Sequence, residues 1–147
     1  MMNVHFKDID YTNEYLVRNL KLKPGQDQFI ESVDECLEEA NTYSAWRPVA
    51  IYNDDNIIGF AMYGSFGRNK DTWIDRIMID KQYQGKGLGR IAMRKLIKIV
   101  SKEYGVNVIY LSIIEENRIA DRLYQSMGFE FINERDPNGE LIFKYTI

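Results

Sequence analysis

The 147-residue sequence predicts a mixed α/β (α+β) fold in one domain, a sheet with helices on both of its sides. Three features carry that expectation. Turn residues join neighbouring apolar segments as hairpins, both in the middle of the chain and at its end. Helical stripes separate other segments, and some of those strands are joined by crossovers. Between one apolar segment and the longest helical stripe lies a loop with three glycines, Gln84-Gly85-Lys86-Gly87-Leu88-Gly89-Arg90.

The elements follow in order. Residues 4–9 read as a first strand, and Tyr15, Leu16 and Leu20 mark a helix over 11–20 that Pro24-Gly25 ends. Asp27 is the expected N-cap of a second helix, with Phe29, Ile30, Val33, Leu37 and Ala40 on one face and Glu31, Asp34, Glu35, Glu38 and Glu39 on the other. Strands over 48–52 and 57–63 flank the turn Asn53-Asp54-Asp55-Asn56. A polar loop over 64–71 leads to a strand over 73–79, whose apolar pattern Arg76 interrupts. After the glycine loop, Leu88, Ala92, Leu96 and Val100 line one face of a helix that Gly105 ends. Its other face carries Arg90, Arg94, Lys98 and Lys102. Residues 106–113 are almost all apolar, as in a central strand buried on both faces. A short helix over 118–127 stops at Gly128, and a last hairpin turns at Pro137-Asn138-Gly139. The count is about seven strands and about four helices.

Composition narrows the function. No apolar run approaches the ~20 residues that cross a bilayer, and the first residues lack a signal-peptide core. The reading is a cytoplasmic protein with no membrane partner. The net charge of −3 disfavours a nucleic-acid partner. One cysteine, Cys36, and one histidine, His5, exclude a Cys/His zinc site, so no metal is expected. The charge is segregated. Residues 7–55 hold 11 acidic and 5 basic side chains, whereas residues 81–102 hold 7 basic and no acidic ones. One part suits a cation and the other an anion.

A glycine loop between a strand and a helix aims backbone N–H groups at one point, where the helix dipole also favours negative charge. Three phosphate loops compete for it. A P-loop needs a second glycine five residues after Gly85, then Lys and Ser or Thr, and position 90 is Arg90. The dinucleotide fingerprint also needs glycine at 90. The spacing that fits is Gln-x-x-Gly-x-Gly, made by Gln84, Gly87 and Gly89. Downstream, Asn117 is followed by Ala120, Leu123-Tyr124 and Met127-Gly128-Phe129, and the seven-residue step from 117 to 124 puts both on one helix face.

In these two motifs the chain resembles the GNAT acetyltransferase superfamily. The segments Pro48-Val49-Ala50-Ile51-Tyr52, Gly59-Phe60-Ala61-Met62-Tyr63-Gly64 and Trp73-Ile74-Asp75-Arg76, with the acidic second helix, are similar to the bacterial spermine/spermidine N-acetyltransferases. The resemblance implies a mostly antiparallel GNAT sheet, V-shaped between its central strands, and direct transfer of acetyl from acetyl-CoA to a primary amine. It implies a polyamine acceptor and a homodimer. Backbone groups of Gln84, Gly85, Lys86, Gly87, Leu88, Gly89 and Arg90 would hold the pyrophosphate, with charge from Lys86 and Arg90. Ile77, Met78 and Ile79 would pair with the pantetheine arm, and an N–H near Met78 would face the oxyanion. Asn117 and Ala120 complete the co-substrate site. Tyr124 is the candidate acid for the leaving thiolate. Asp75 is the candidate base, with Glu115 or Glu116 second, and Glu31, Glu35, Asp75 and Glu115 are the candidate amine contacts. Another amine acceptor (a protein N-terminus, a lysine or an aminoglycoside) or a non-catalytic acetyl-CoA sensor are the alternatives.

Overall fold

The computed structural model describes residues 3–26 and 32–147. Its strands are β1 (Val4–Asp8), β2 (Trp46–Asn53), β3 (Asn56–Phe66), β4 (Asp71–Ile79), β5 (Val108–Ile113), β6 (Glu130–Arg135) and β7 (Leu141–Thr146). Its helices are α1 (Glu14–Arg18), α2 (Val33–Thr42), α3 (Leu88–Tyr104) and α4 (Arg118–Ser126). The seven strands form one sheet in the order β1-β2-β3-β4-β5-β7-β6. Every neighbouring pair is antiparallel except β4 and β5, the one pair joined by a helical crossover, α3. Those two strands share a single registered pair, Trp73↔Tyr110. Beyond it they part, and this is the V that the fold class implied.

Two cores sandwich the sheet. On one face Leu88, Ala92, Leu96 and Val100 of α3 pack on Ile51, Ala61 and Ile109. On the other, Val17, Cys36 and Leu37 from α1 and α2 pack on Ala50, Phe60 and Met62. A β-bulge decides which face of β4 meets which core. Met62 pairs with Arg76 and Tyr63 with Ile74, so Asp75 is the extra residue on β4. Before it, Ile74 belongs to the α3 core, and after it Met78 belongs to the opposite one. The inserted residue bends β4 where it leaves β5.

Several boundaries differ from expectation. The proposed cap Asp27, with Phe29 and Ile30, lies outside the described residues. The described helix α2 is instead capped by Ser32, whose Oγ accepts the Glu35 N–H at 3.1 Å while Glu35 Oε1 accepts the Ser32 N–H at 3.3 Å. Ser-Val-Asp-Glu is thus a capping box. In the shorter α1, Val17 is the buried residue, while Tyr15 and Leu16 are 61% and 42% exposed. The polar loop is only residues 67–70, because β3 runs on to Phe66, which packs edge-on against Trp46 at 4.7 Å. β5 starts at Val108 and alternates in burial: Ile109, Leu111 and Ile113 are buried, whereas Tyr110 and Ser112 are half-buried. Its second face borders the V rather than a helix.

Candidate active site

The divergence of β4 and β5 opens a cleft of about 650 Å³. Its inner wall is β4 from Ile74 to Ile79, and its far wall is Leu111 to Ile114 of β5 with Asn117, Ala120, Leu123 and Tyr124. Gln84 closes one end, and the glycine loop continues directly from it. Gly85 and Gly87 have φ of 78° and 79°, which L side chains rarely adopt. Gly87 is the N-cap of α3 and offers no side-chain cap, and the first turn carries no acidic residue. The N–H groups of Leu88, Gly89 and Arg90 belong to the orphan donors of that turn. The arrangement fits a pyrophosphate. The Leu88 side chain, by contrast, is core, 3% exposed. Lys86 Nζ stands 5.9 Å from the Tyr83 ring, and Arg90 Nη2 donates to Ser126 Oγ at 3.0 Å, tying α3 to α4.

Strand register decides which backbone groups near Met78 face the V. Asp80 donates its N–H to the Ile58 carbonyl at 2.7 Å, so the ladder alternation turns the N–H and C=O of Met78 and Arg76 toward β3 as well. A Cβ built on Gly59 would lie 2.2 Å from the Met78 carbonyl oxygen, as expected for a carbonyl facing β3. Ile77 and Ile79 therefore present their backbone groups to the V. The Ile79 carbonyl already accepts Gln84 Nε2 at 2.8 Å. Met78 lines the cleft but its N–H is turned away, and the free donors are those of Ile77 and Ile79.

At the base of α4, Asn117 Oδ1 accepts the Ala120 N–H at 3.3 Å, which leaves the side-chain NH2 as its group for a ligand. Tyr124, half-buried, stands edge-on to Phe129 with ring centroids 5.8 Å apart. Burial pushes its phenol up to about 12, and the Arg76 guanidinium works in the opposite sense. Tyr124 is therefore a protonated donor across neutral pH.

The acceptor end is acidic. Asp75 lines the cleft with Glu35 and Glu39 of α2 and with Asp136 and Glu140 of the β6–β7 hairpin, and the guanidinium of Arg76 is the one cation among the described lining residues. Of the candidate amine contacts, Asp75 and Glu35 are thus in the cleft. Glu115 is not among its lining residues, and it pairs with Arg135 at 3.3 Å. Glu31 lies outside the described residues. Sequence reasoning missed Gln26, Glu39, Arg76, Asp136 and Glu140. Arg76 left a signal, a charge inside an apolar strand, and it is only 9% exposed. The others are brought in by tertiary contacts and left none.

A splayed sheet whose cleft adjoins an anion-accepting helix start and is lined by several carboxylates fits a two-substrate transferase site. The chain belongs to the acetyltransferase (GNAT) family, whose profile matches residues 13–129. It is 40% identical, over 147 residues, to the spermine/spermidine N(1)-acetyltransferase of Bacillus subtilis (strain 168), covering 96% of this chain and 97% of that protein. Two solved structures share the fold. The spermidine N-acetyltransferase of Vibrio cholerae, in complex with CoA and spermine, has a TM-score of 0.73 at 19% identity, over 96% of this chain and 92% of that one. A GNAT family acetyltransferase of Elizabethkingia anophelis with acetyl-CoA bound has a TM-score of 0.70 at 14% identity, over 99% of each chain.

Proposed function

We propose that the protein moves the acetyl group of acetyl-CoA directly to a primary amine of a polyamine such as spermidine or spermine. The observation that carries this reading is the make-up of the cleft: Gln84, which leads into the uncapped start of α3, and the carboxylates of Glu35, Glu39, Asp75, Asp136 and Glu140 line it together. A polyamine is a flexible chain of ammonium groups, and separated carboxylates match it. The name of the 40% identical relative points the same way.

Acetyl-CoA supplies an acyl carbon activated by a thiolate leaving group. The N–H groups of Gly85 to Arg90 hold its phosphates. Ile79 and Ile77 pair with the pantetheine arm as an added strand would, and the NH2 of Asn117 donates to it. The Ile77 N–H, farther from the phosphate end than that of Ile79, faces the carbonyl oxygen and stabilises its developing charge. Asp75 takes the proton from the attacking ammonium, directly or through water. Tyr124 donates to the departing sulfur.

An alkyl ammonium titrates near ~10.4, so the need for a base grows as pH falls. Asp75→Asn is therefore expected to lower kcat/KM most at the acid end of the range. A pH–rate profile that only shifts down uniformly would remove Asp75 from the base role. A panel of spermidine, spermine, lysine peptides and an aminoglycoside tests the acceptor, and a preference for the last two would overturn the polyamine reading.

The same reading makes the 147 residues one acetyltransferase domain, supported by a single sheet that runs from Val4 to Thr146. It places the protein in the cytoplasm as a homodimer. Among the described residues no helix is long and apolar enough to cross a membrane. Light scattering of the purified protein gives the oligomeric state.

A further inference from the structure

The segment between α1 and α2 is fastened to the start of the glycine loop at two points. The first is Asp80, 7% exposed, at the end of β4. Its Oδ1 accepts the Lys21 N–H at 2.7 Å and its Oδ2 accepts the Gln82 N–H at 3.2 Å. The Lys81 N–H donates in turn to the Lys21 carbonyl at 2.7 Å. Lys21 is thus held by both of its backbone groups. The second point is a closed ring of two side-chain amides. Gln84 Nε2 donates to Gln26 Oε1 at 2.9 Å, and Gln26 Nε2 donates to Gln84 Oε1 at 3.0 Å. Gln26 Oε1 also accepts the Lys23 N–H at 3.0 Å, and Gln84 Nε2 also reaches the Ile79 carbonyl.

Between these points run Leu22, which lines the cleft, and the Pro24-Gly25 turn. Downstream stands α2 with Glu35 and Glu39, the cleft's acidic wall. The next residue after Gln84 is the first glycine of the loop. One side chain therefore touches both: Gln84 is joined to the loop by the backbone and, through Gln26, to the segment 21–26, whose Leu22 and Gln26 line the cleft. Residues 21–25 have no helix or strand ladder of their own beyond one turn, and Gln26 is in 3-10 conformation, so these bonds help set where the segment lies.

We propose that Gln26 is a positioning residue that registers the cleft-lining segment 21–26 against the co-substrate loop, an inference that takes its two ligands from the function proposed above. Order imposed on the loop passes through Gln84 to residues 21–26. By the reciprocity of linked equilibria, the ordered segment, against which the amine would lie, in turn favours the ordered loop. The two amide bonds, at roughly 1 kcal/mol each, amount to about ten-fold or more in an equilibrium.

Hydrogen-exchange mass spectrometry, with CoA alone as the probe, tests this. In the unsubstituted protein CoA should slow exchange at 84–90 and also at 21–26. In Gln26→Leu the protection at 84–90 should persist and that at 21–26 should be lost. Gln26→Asn, one methylene shorter, cannot close the ring and should behave as the leucine variant does. With spermidine and acetyl-CoA as substrates, both variants should raise the spermidine KM at saturating acetyl-CoA and the acetyl-CoA KM at saturating spermidine by the same factor, about ten-fold. A rise in one KM without the other, or CoA protection at 21–26 that survives either substitution, would overturn the proposal. The two readings fail separately. If CoA protects nothing at 84–90 in the parent, the acetyl-CoA function falls. The clamp is then judged without ligand, where Gln26→Leu must speed exchange at 21–26, and unchanged exchange there overturns it.

Discussion

In the reaction proposed above, the surroundings of Tyr124 fix the part it can take. An ordinary thiol titrates near ~8.5, well below a phenol pushed up to about 12 by burial. Such a phenol is a poor early acid. It keeps its proton until the sulfur carries nearly full charge, and until then it serves as a hydrogen-bond donor. Tyr124→Phe is expected to lower kcat by about a hundred-fold, the usual worth of a positioned acid, and to leave the acetyl-CoA KM unchanged. Single-turnover kinetics measure this, and an undiminished chemical step would end the assignment. Tyr124 should also cause no alkaline fall in rate below about pH 11. Asn117, Tyr124 and the Gln84 loop were legible because their spacing along the chain is itself the signal. Asp136, Glu140 and Glu39 were not, since they meet Asp75 only when a distant hairpin and α2 close around β4. Glu115 misled for the related reason that adjacency to the cleft strand says nothing of which way the side chain turns.

At the scale of elements, the site depends on two devices in β4: the bulge at Asp75 and the close approach of β3 at Gly59. A Cβ on Gly59 would meet the Met78 carbonyl oxygen at 2.2 Å and Ile79 Cδ1 at 3.2 Å. The first contact is backbone, so β4 itself must shift. Because Ile77 and Ile79 face the V from that same stretch, Gly59→Ala is expected to lower stability by about 1–3 kcal/mol, the usual cost of overpacking. It should cut kcat more than a matched destabilisation elsewhere does. Thermal melts and kcat measured well below the midpoint separate the two effects, and full activity in the folded variant would detach Gly59 from the site. The element types followed from periodicity: the hairpins, the α3 stripe and the Gly105 stop all stand where the pattern put them. The bulges did not show, because an extra strand residue leaves the composition unchanged and is defined only by the partner's register. The start of α2 was legible in principle, since Ser32-Val33-Asp34-Glu35 is a capping box, but the earlier Asp27 with its apolar followers drew the boundary upstream.

Across the whole molecule, burial holds several phenols un-ionised, and this sets an alkaline limit to the fold. Tyr63 sits in the α3 core at 2% exposure and donates its hydroxyl to Glu103 Oε1 at 3.0 Å. Glu103 also pairs with Arg47 at 2.6 Å, and Arg47 reaches Asp8 at 2.9 Å, so the network joins β1, β2, β3 and α3. Burial is the largest cause that lifts Tyr63 above the usual tyrosine range, and it lifts Tyr104 to about 12. Tyr124, in the cleft and packed against the same α3-side core, is lifted to about 12 for the same reason. The sign follows from proton linkage. Unfolded phenols titrate near ~10, so above that pH the unfolded chain releases protons that the folded one keeps. This stability is complete below about pH 10 and is lost as the pH climbs through about 12. The folding free energy from urea titrations should therefore be level on this account up to about pH 10 and then fall steeply. At pH 11 the phenolate absorbance of these three residues should be missing while the far-UV dichroism is intact, and it should appear together with loss of the sheet. Ionisation of every tyrosine before any loss of dichroism would show that these phenols are not protected. Acetyl-CoA, which lies against Tyr124 in the proposed complex, should move the transition to higher pH, because a ligand bound only by the folded state adds to its stability.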